Sequence, residues 1–505
     1  MNTKSPALPR ARALLTDLYE LTMAYAYWKT GKTNQEAVFH LLFRQHPFNG
    51  GFTICCGLAD AIEYLQKFRF EQSDVDYLKT LKGNDGKSLF DPTFLKYLRG
   101  LRLKLDVDAI PEGTVVFPQE PLIRIRGSIL QAQIVEAALL NFFNFQSLIA
   151  TKSARVCLAA QGDPVVEFGL RRAQGIDGAL TASRSAYIGG CIATSNVLAG
   201  KIFGIPTGGT HAHSWVMSFP DELTAFNAYA DAMPNNCTFL VDTYDSLDGI
   251  RHAVEAGKRL GKRGHKMVGI RLDSGDLAYL SIEARKILDA AGFRDVDIVG
   301  SNDLNEHLIA SLKQQGAKIN MWGVGTMLVT AYDQPALGGV YKLSAIRKPN
   351  GAWQHKIKLS EQGVKVTNPG ILQVRRFRTA REFTGDAIYD ECLPPPSRIT
   401  IVDPADSTRR KSFPVAAQHE ELLVPILRRG KLVYRPPSLD SIRARLQSQL
   451  AMLHGGIKRL DNPHQYPAGL ELTLHELKTE LILRARNQAR GLQSASSWGR
   501  SKHAE

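Results

Sequence analysis

The stretch Val165-Val166-Glu167-Phe168-Gly169 sets the pattern from which the fold is predicted. A short apolar run rich in β-branched residues is typical of a buried strand, and a glycine at its end is typical of a loop. Similar runs follow at 205–207, 238–242, 267–272, 296–300 and 319–323, with helical stretches such as 246–260 and 279–291 between them. Residues 151–345 therefore alternate strand and helix.

This alternation predicts an α/β domain. Units of roughly 25–35 residues indicate parallel strands, and six of them favour an irregular α/β barrel, similar to a TIM barrel, over an open sheet. In such a barrel the chemistry gathers on the loops that follow the strands. The six runs end in loops rich in Gly, Asp, Ser and Thr, so we expect the active site on that side.

The regions on either side of 151–345 show other secondary-structure patterns. Residues 1–150 predict an α+β N-terminal domain, which opens with a helix capped by Asp17 and Glu20 and ends in an apolar helix over 129–149. Residues 346–490 predict short strands and two late helices, and we expect them to pack back onto the N-terminal domain. The segment 491–505 is rich in Ser, Arg and Gly and predicts a mobile basic tail.

Composition limits the class of protein. The 505 residues are 44% hydrophobic and 22% charged, and we expect no apolar run to reach the ~20 residues of a membrane helix. The six cysteines form no C-x-x-C pair, and the N-terminus lacks a signal-peptide core, so we expect a cytoplasmic protein. The net charge of +14 suits an enzyme that handles polyphosphates.

The segment 208–215, Gly-Gly-Thr-His-Ala-His-Ser-Trp, follows the run 205–207 and brings two histidines and two glycines into one turn. Its two glycines allow the backbone to approach a ligand closely. The spacing of His211 and His213 suits metal ligation as well as a nucleophilic or acid–base nitrogen.

The other loops favour anion binding. Phe168 with Arg171 and Arg172 offers an aromatic face beside guanidinium groups. The loop 271–276, Arg-Leu-Asp-Ser-Gly-Asp, adds an arginine that can grip a phosphate and carboxylates that can hold a ribose hydroxyl or Mg²⁺. The glycines of 323–326, Gly-Val-Gly-Thr, suit a phosphate.

Taken together, these motifs resemble the nicotinate phosphoribosyltransferases, which are type II phosphoribosyltransferases. The resemblance runs over nearly the whole chain and is carried by the segments 16–23, 167–175, 209–214, 241–244, 271–277, 301–302, 323–326, 358–360 and 369–370. It implies transfer of 5-phosphoribose from phosphoribosyl pyrophosphate to nicotinate, which gives nicotinate mononucleotide and pyrophosphate, the first step of NAD salvage from nicotinate. It also implies ATP hydrolysis through a phosphohistidine, magnesium, and a homodimer with shared active sites.

The same resemblance implies roles for individual residues. His213 would be the phosphohistidine, whereas His211 stands at a variable position and would be a pocket-wall or solvated side chain. Nicotinate would be bound by Phe168, Ser195, Thr210, Arg271 and by Tyr19 from the partner subunit, and phosphoribosyl pyrophosphate by Arg171, Asp273, Gly323, Gly325 and Thr326. No residue is expected to fix a metal by itself; Mg²⁺ would arrive with the pyrophosphate, near Asp273.

Ser195 bears on the choice between the acid and the amide. The nicotinamide-using relatives carry an aspartate at this place in a Thr-Asp-Thr-Val-Ala-Gly element, which here is Thr194-Ser195-Asn196-Val197-Leu198-Ala199-Gly200. A carboxylate there would repel the carboxylate of nicotinate, and a hydroxyl would not. The sequence therefore predicts nicotinate as the substrate.

Two alternatives remain at this stage. A metal-dependent barrel hydrolase could also use His-x-His after a strand, but it needs further histidines at later strand ends. His252, His265 and His307 fall in or beside predicted helices, which leaves that ligand set incomplete. A basic nucleic-acid-binding protein would suit the net charge, but the excess charge lies outside the candidate site, and we expect no nucleic-acid or membrane partner.

Overall fold

The structure is a computed structural model that describes residues 13–349, 351–362, 365–394, 398–414 and 416–498, with side chains through residue 488. Its N-terminal elements are α1 (Leu18–Lys29), β1 (Glu36–Phe43), β2 (Thr53–Ile54), α2 (Leu58–Lys67), α3 (Gln72–Thr80), α4 (Pro92–Gly100), β3 (Asp106–Ala109), β4 (Val115–Val116), β5 (Ile123–Ser128), α5 (Ile129–Gln133) and α6 (Glu136–Ala159).

The middle of the chain alternates strands and helices. Its elements are β6 (Val165–Glu167), α7 (Ile176–Gly189), β7 (Ala193–Thr194), α8 (Val197–Phe203), α9 (His213–Met217), α10 (Glu222–Ala232), β8 (Thr238–Leu240), α11 (Ser246–Lys262), β9 (Gly269–Leu272), α12 (Leu277–Ala290), β10 (Asp297–Gly300), α13 (Glu306–Gln314), β11 (Met321–Val324) and α14 (Thr326–Val329). The predicted alternation is present.

The C-terminal part is mostly β-structure followed by two helices. Its elements are β12 (Gly339–Arg347), β13 (Gln354–His355), β14 (Leu372–Arg378), β15 (Phe383–Asp390), β16 (Ile399–Val402), β17 (Arg410–Phe413), β18 (His419–Glu421), β19 (Val424–Arg428), β20 (Lys431–Leu432), α15 (Leu439–Ala451), β21 (Ala468–Glu471) and α16 (Leu472–Trp498). Because α16 continues to Trp498, the expected mobile tail is helical over 491–498, and its remainder, 499–505, lies outside the described residues.

The parallel sheet has six strands in the order β7-β6-β11-β10-β9-β8. The structure does not confirm a closed barrel, because no ladder within the described residues joins the edge strands β7 and β8. The segment 205–207, expected as a strand, makes only one bridge, between Thr194 and Thr207. Pro206 has no N–H to donate to a ladder, which explains why this segment stays irregular.

A second sheet joins the two ends of the chain. Its seven strands run in the order β13-β12-β1-β5-β3-β19-β20, so that β12 and β19 from the second half of the chain pair with β1 and β3 from the first. A third sheet, in the order β17-β16-β21-β15-β14-β18, is built from C-terminal strands alone.

Helix α6 lies at the centre of the molecule. Together with α5 it spans 129–159, and contrary to our expectation this stretch is long and apolar enough to match a membrane span by length and composition. However, 67% of that window is buried inside the protein. Lys152 and Arg155 of α6 are buried and form ion pairs with Glu306 of α13, at 2.7 and 2.8 Å, which identifies α6 as a core helix.

The predicted N-terminal capping box of α1 is absent. Asp17 stands at the cap position but its side chain accepts no capping hydrogen bond. Glu20 is buried and instead accepts hydrogen bonds from Ala137 N, at 3.0 Å, and from the Thr16 hydroxyl, at 2.6 Å. This carboxylate therefore ties α1 to the start of α6 rather than closing its own helix.

Candidate active site

The carboxyl ends of the parallel strands bring most of the predicted site residues to one edge of the sheet. Phe168 follows β6, Ser195 follows β7, Arg271 lies within β9 and Asp273 follows it, and Gly323 lies within β11. Parallel strands joined by helical crossovers place these ends side by side, which is why loops far apart in sequence meet here.

Arg271 is the centre of the cluster. Its guanidinium donates three hydrogen bonds to side chains: to Thr210 Oγ1 at 3.0 Å, to Ser301 Oγ at 2.8 Å and to Asp273 Oδ1 at 2.8 Å. The guanidinium carbon also lies 5.5 Å from the centre of the Phe168 ring. A rigid cationic fork with an aromatic face beside it suits a flat ring that carries a carboxylate.

Asp273 links this fork to His213. Its Oδ1 also accepts a hydrogen bond from the Ser301 hydroxyl at 2.5 Å, while its Oδ2 lies 3.9 Å from His213 Nε2. Burial alone would raise the pKa of Asp273, but the hydrogen bond from Ser301 and the charge of Arg271 hold this pKa below its ordinary value. Asp273 is therefore an anion at neutral pH.

His213 is the first residue of α9 and is 40% exposed at its side chain. Its Nδ1 lies 3.1 Å from Thr243 Oγ1, on the loop after β8. The hydroxyl fixes the orientation of the ring and leaves Nε2 facing Asp273 and the solvent. This geometry leaves one imidazole nitrogen free to react.

Asp242 supports the same loops from the end of β8. Its Oδ2 accepts from Asp273 N at 2.9 Å and from the Ser274 hydroxyl at 2.6 Å. Its Oδ1 is buried and has no hydrogen-bond partner within the described residues. An unsatisfied carboxylate oxygen beside a second carboxylate suits Mg²⁺, which favours oxygen ligands.

Two glycines make room for the aromatic ring. A Cβ on Gly323 would lie 2.5 Å from Phe168 Cε2, so only glycine allows the ring to sit against β11. A Cβ on Gly325 would lie 3.2 Å from the carbonyl oxygen of Phe168, and Thr326 follows as the first residue of α14. The predicted glycine loop therefore lies directly against Phe168.

Ser195 is held to the Phe168 loop by Glu167. The backbone N–H of Ser195 donates to Glu167 O at 2.9 Å. The buried Glu167 carboxylate accepts from Ser183 Oγ at 2.8 Å and Thr194 Oγ1 at 2.5 Å, and also from the backbone N–H of Gly169. One carboxylate thus fixes both loops on which Phe168 and Ser195 lie.

Two predicted residues lie outside the cluster. Arg171 is exposed on a short 3-10 turn, 170–172, and makes no hydrogen bond or ion pair within the described residues. Tyr19 is 46% exposed and lies on α1, a helix that packs against α5.

The two histidines of the His-x-His segment do not form a metal site. His211 is 8% exposed, and its Nε2 already accepts a hydrogen bond from Leu240 N. His252 pairs with Glu222 and His265 pairs with Asn235, so each of these rings has a partner of its own. The part of the chain that the structure describes contains no group of three or more His, Cys, Asp or Glu that could hold a metal. The geometry does not support the hydrolase alternative.

Several residues of the site escaped the sequence analysis. Glu167, Asp242 and Thr243 lie within motifs that carried the resemblance, but no role was predicted for them. Ser301 is likewise part of a quoted motif and proves to be the second partner of Arg271. Their only signal was position, because each stands near the end of a predicted strand or directly after it.

The comparisons with known proteins agree with this geometry. Three family models match successive parts of the chain: the nicotinate phosphoribosyltransferase N-terminal domain at residues 14–144, the nicotinate phosphoribosyltransferase family at 164–358, and the nicotinate phosphoribosyltransferase C-terminal domain at 373–478. The chain is 43% identical over 482 residues to a nicotinate phosphoribosyltransferase of Bacillus subtilis, which covers 93% of this chain and 96% of the relative.

More distant species give the same result. The chain is 36% identical over 533 residues to the nicotinate phosphoribosyltransferase of Homo sapiens, with 93% of this chain and 97% of the relative covered. The crystal structure of the human nicotinic acid phosphoribosyltransferase superimposes with a TM-score of 0.79 at 34% identity, over 92% of this chain and 99% of that one. The chain therefore belongs to the nicotinate phosphoribosyltransferase family.

Proposed function

We propose that this enzyme transfers 5-phosphoribose to nicotinate and couples the transfer to ATP hydrolysis through His213. The ring nitrogen of nicotinate forms a bond to C1 of the ribose while the bond from C1 to the pyrophosphate oxygen breaks, which gives nicotinate mononucleotide and pyrophosphate. The observation that carries this proposal is the Arg271 fork, which joins Thr210, Ser301 and Asp273 beside the Phe168 ring.

In this proposal the nicotinate ring stacks on Phe168, and its carboxylate is bound by Arg271 and Thr210. The Ser195 hydroxyl faces the same substrate without adding a negative charge. Phosphoribosyl pyrophosphate is bound by Asp273, Arg171 and the backbone of the loop 323–326. Departure of pyrophosphate leaves positive charge on the ribose, and the anionic Asp273 is placed to stabilise it.

Mg²⁺ fits the acidic pair of the site. Asp242, with its unpartnered Oδ1, and Asp273 would hold the ion together with the pyrophosphate oxygens. When bound, it would neutralise the charge that develops on the leaving pyrophosphate.

His213 accepts the phosphoryl group in this proposal. In the tautomer that this step requires, Nδ1–H donates to Thr243 Oγ1, 3.1 Å away, and the lone pair lies on Nε2. Nε2 attacks the γ-phosphorus of ATP, the bond to ADP breaks, and a phosphoramidate forms that water later hydrolyses to phosphate. ATP would use the same phosphate-binding loops.

The exposed apolar surface supports a homodimer. Leu18 and Tyr19 on α1 are 53% and 46% exposed, and Val197 on α8 and Met217 on α9 are 73% and 66% exposed. In a dimer, Tyr19 of the partner subunit would cover the nicotinate on the face opposite Phe168. All six cysteines are free thiols, which supports the cytoplasm as the location.

The test is an assay of nicotinate mononucleotide and pyrophosphate, with nicotinate or nicotinamide, with and without ATP. We expect turnover of nicotinate in preference to nicotinamide, and an ATP stimulation that His213→Ala abolishes. Equal turnover of both bases would refute the acid preference, and ATP stimulation in His213→Ala would refute the phosphohistidine.

Mixing two inactive variants tests the shared site. Tyr19→Ala and Arg271→Ala would each damage a different half of every site, so random re-association should restore about a quarter of the wild-type activity. No recovery in dimers that have demonstrably exchanged subunits would place Tyr19 outside the partner's site.

A further inference from the structure

Strand β8 has one backbone donor that its neighbour cannot satisfy. Among the described residues β8 is an edge strand whose one ladder partner is β9, and the Val241 N–H donates towards β9, to Arg271 O at 3.2 Å. Because successive N–H groups of a strand point to opposite sides, the Leu240 N–H points to the open side of the sheet. Leu240 is 1% exposed, so water does not provide the missing acceptor, and an unpaired donor here would cost free energy.

His211 supplies that acceptor. Leu240 N donates to His211 Nε2 at 3.2 Å, and the imidazole packs against the Tyr229 ring, with centres 4.9 Å apart. Since Nε2 accepts, the proton of the neutral ring lies on Nδ1, which faces Ala212 O at 3.4 Å. Of the two roles expected at this position, a pocket-wall or a solvated side chain, the burial of His211 excludes the solvated one.

The other end of the same segment is attached to β7. Thr194 N donates to Pro206 O, and Gly208 N donates to Thr194 O, both at 3.0 Å. The segment 206–211 therefore crosses from one edge strand of the sheet to the other. His213 follows two residues later, and its partner Thr243 follows Leu240 by three residues.

We propose that His211 is a positioning residue, whose neutral imidazole binds the His213 loop to the free edge of β8 and so keeps His213 beside Thr243 and Asp273. The inference rests on the proposed role of His213 as the phosphoryl acceptor. It adds a second, distinct role for the first histidine of the His-x-His segment.

The surroundings keep His211 in the form that can accept. Burial lowers the pKa of His211 to about 4, and the positive charge of Arg271 and the neighbouring His213 act in the same direction, against the opposing hydrogen bond with Ala212 O. The groups that face it are Tyr229 from α10, Arg271 from β9 and His213 from α9. At neutral pH the ring is therefore uncharged and Nε2 keeps its lone pair.

Two substitutions distinguish the loss of the hydrogen-bond acceptor for Leu240 N from the loss of the imidazole ring itself. In His211→Gln the amide oxygen can reach Leu240 N, whereas in His211→Ala the N–H loses its acceptor. His265→Ala is the matched control, because His265 is a partly exposed histidine that precedes β9, at the opposite ends of the strands, and pairs with Asn235. Phosphorylation of His213 from γ-labelled ATP, Km for nicotinate without ATP, and hydrogen exchange of the Leu240 amide are measured on the full-length enzyme.

We expect His211→Ala to slow phosphorylation of His213 about tenfold or more, because small displacements of a reacting group have large kinetic effects. His211→Gln should stay within about threefold of wild type, since it restores the hydrogen bond. Hydrogen exchange of the Leu240 amide should be faster in His211→Ala and unchanged in His211→Gln and His265→Ala. A general loss of structure would instead raise the Km for nicotinate in parallel.

Wild-type phosphorylation rates in His211→Ala would overturn the proposal, as would equal losses in the glutamine and alanine variants. If wild-type enzyme forms no phosphohistidine, the proposed ATP coupling fails. In that case ¹⁵N chemical shifts of the His211 ring, with Leu240 exchange, still decide whether Nε2 is the acceptor, and a proton on Nε2 would refute the positioning bond.

Discussion

Arg271→Lys is the substitution to which the proposed nicotinate site should be most sensitive. The arginine makes three side-chain hydrogen bonds, to Thr210, Ser301 and Asp273, and its guanidinium lies 5.5 Å from the centre of the Phe168 ring. Lysine keeps the positive charge but concentrates it on one nitrogen, which cannot reach three loops in one plane. The variant therefore tests geometry rather than charge.

The expected loss follows from these contacts. Lysine can retain one of the three hydrogen bonds, and each of the other two contributes roughly 0.5–1.5 kcal/mol, or about 1.5–3 kcal/mol where the partner is charged. We expect a loss of about 3 kcal/mol in transition-state stabilisation. At 1.36 kcal/mol for each factor of ten, this corresponds to about 100-fold in kcat/Km for nicotinate.

Initial rates of pyrophosphate release at varied nicotinate concentration measure this loss. Arg285→Lys is the matched control. Arg285 also donates to three groups, on Asp289, Phe293 and Val296, but it lies on α12, away from the carboxyl ends of the strands. Its kcat/Km should stay near the wild-type value. A decrease of less than about fivefold in Arg271→Lys would show that the fork does not bind the reacting substrate.

Three further predictions concern specificity, packing and pH. Ser195→Asp should raise the Km for nicotinate about tenfold, by like-charge repulsion, without impairing use of nicotinamide in the same assay. Gly323→Ala, whose Cβ would lie 2.5 Å from Phe168, should cost about 1–3 kcal/mol in urea unfolding and raise the Km for nicotinate, whereas Gly261→Ala, with open space around it in α11, should do neither. Burial raises the pKa of the Glu20 carboxyl group to about 7. The contribution of Glu20 to the free energy of unfolding should therefore fall as pH rises from about 4.5 to 7, and the melting temperature should fall with it. An equal fall of the melting temperature in Glu20→Gln, whose side chain does not titrate, would contradict this prediction.

The fold was predictable where a signal is local. Runs such as 296–300 are apolar and β-branched, and the structure has a strand at Asp297–Gly300. Closure of the barrel was not predictable from the sequence, because it depends on whether 205–207 can form a ladder between β7 and β8. Pro206 and the two-residue length of β7 prevent a regular ladder, and in the described part of the chain the link from this segment to β8 is a side chain, that of His211.

The residue types of the site were predictable, but their connections were not. Arg271 and Asp273 stand two residues apart in the sequence, and nothing there indicates that both bind Ser301, about 30 residues later. Glu167 was one more member of a motif, although its carboxylate holds two loops together. Hydrogen bonds across strand ends depend on register, which the sequence pattern specifies only within one strand.

Asp273 gives a physical basis for coupling the two proposed reactions. Its Oδ1 belongs to the Arg271 fork, and its Oδ2 lies 3.9 Å from the nitrogen of His213 that would carry the phosphoryl group. A phosphoryl group there would place negative charge beside this carboxylate, in a site partly shielded from water, where the repulsion is stronger than in bulk solvent. The strain would be relieved by moving Asp273 or by recruiting a cation, and either change alters the fork that binds nicotinate. Asp273→Asn should therefore weaken the effect of ATP on the Km for nicotinate, measured with ATP present and absent. An unchanged ATP effect in this variant would mean that the coupling runs through other groups.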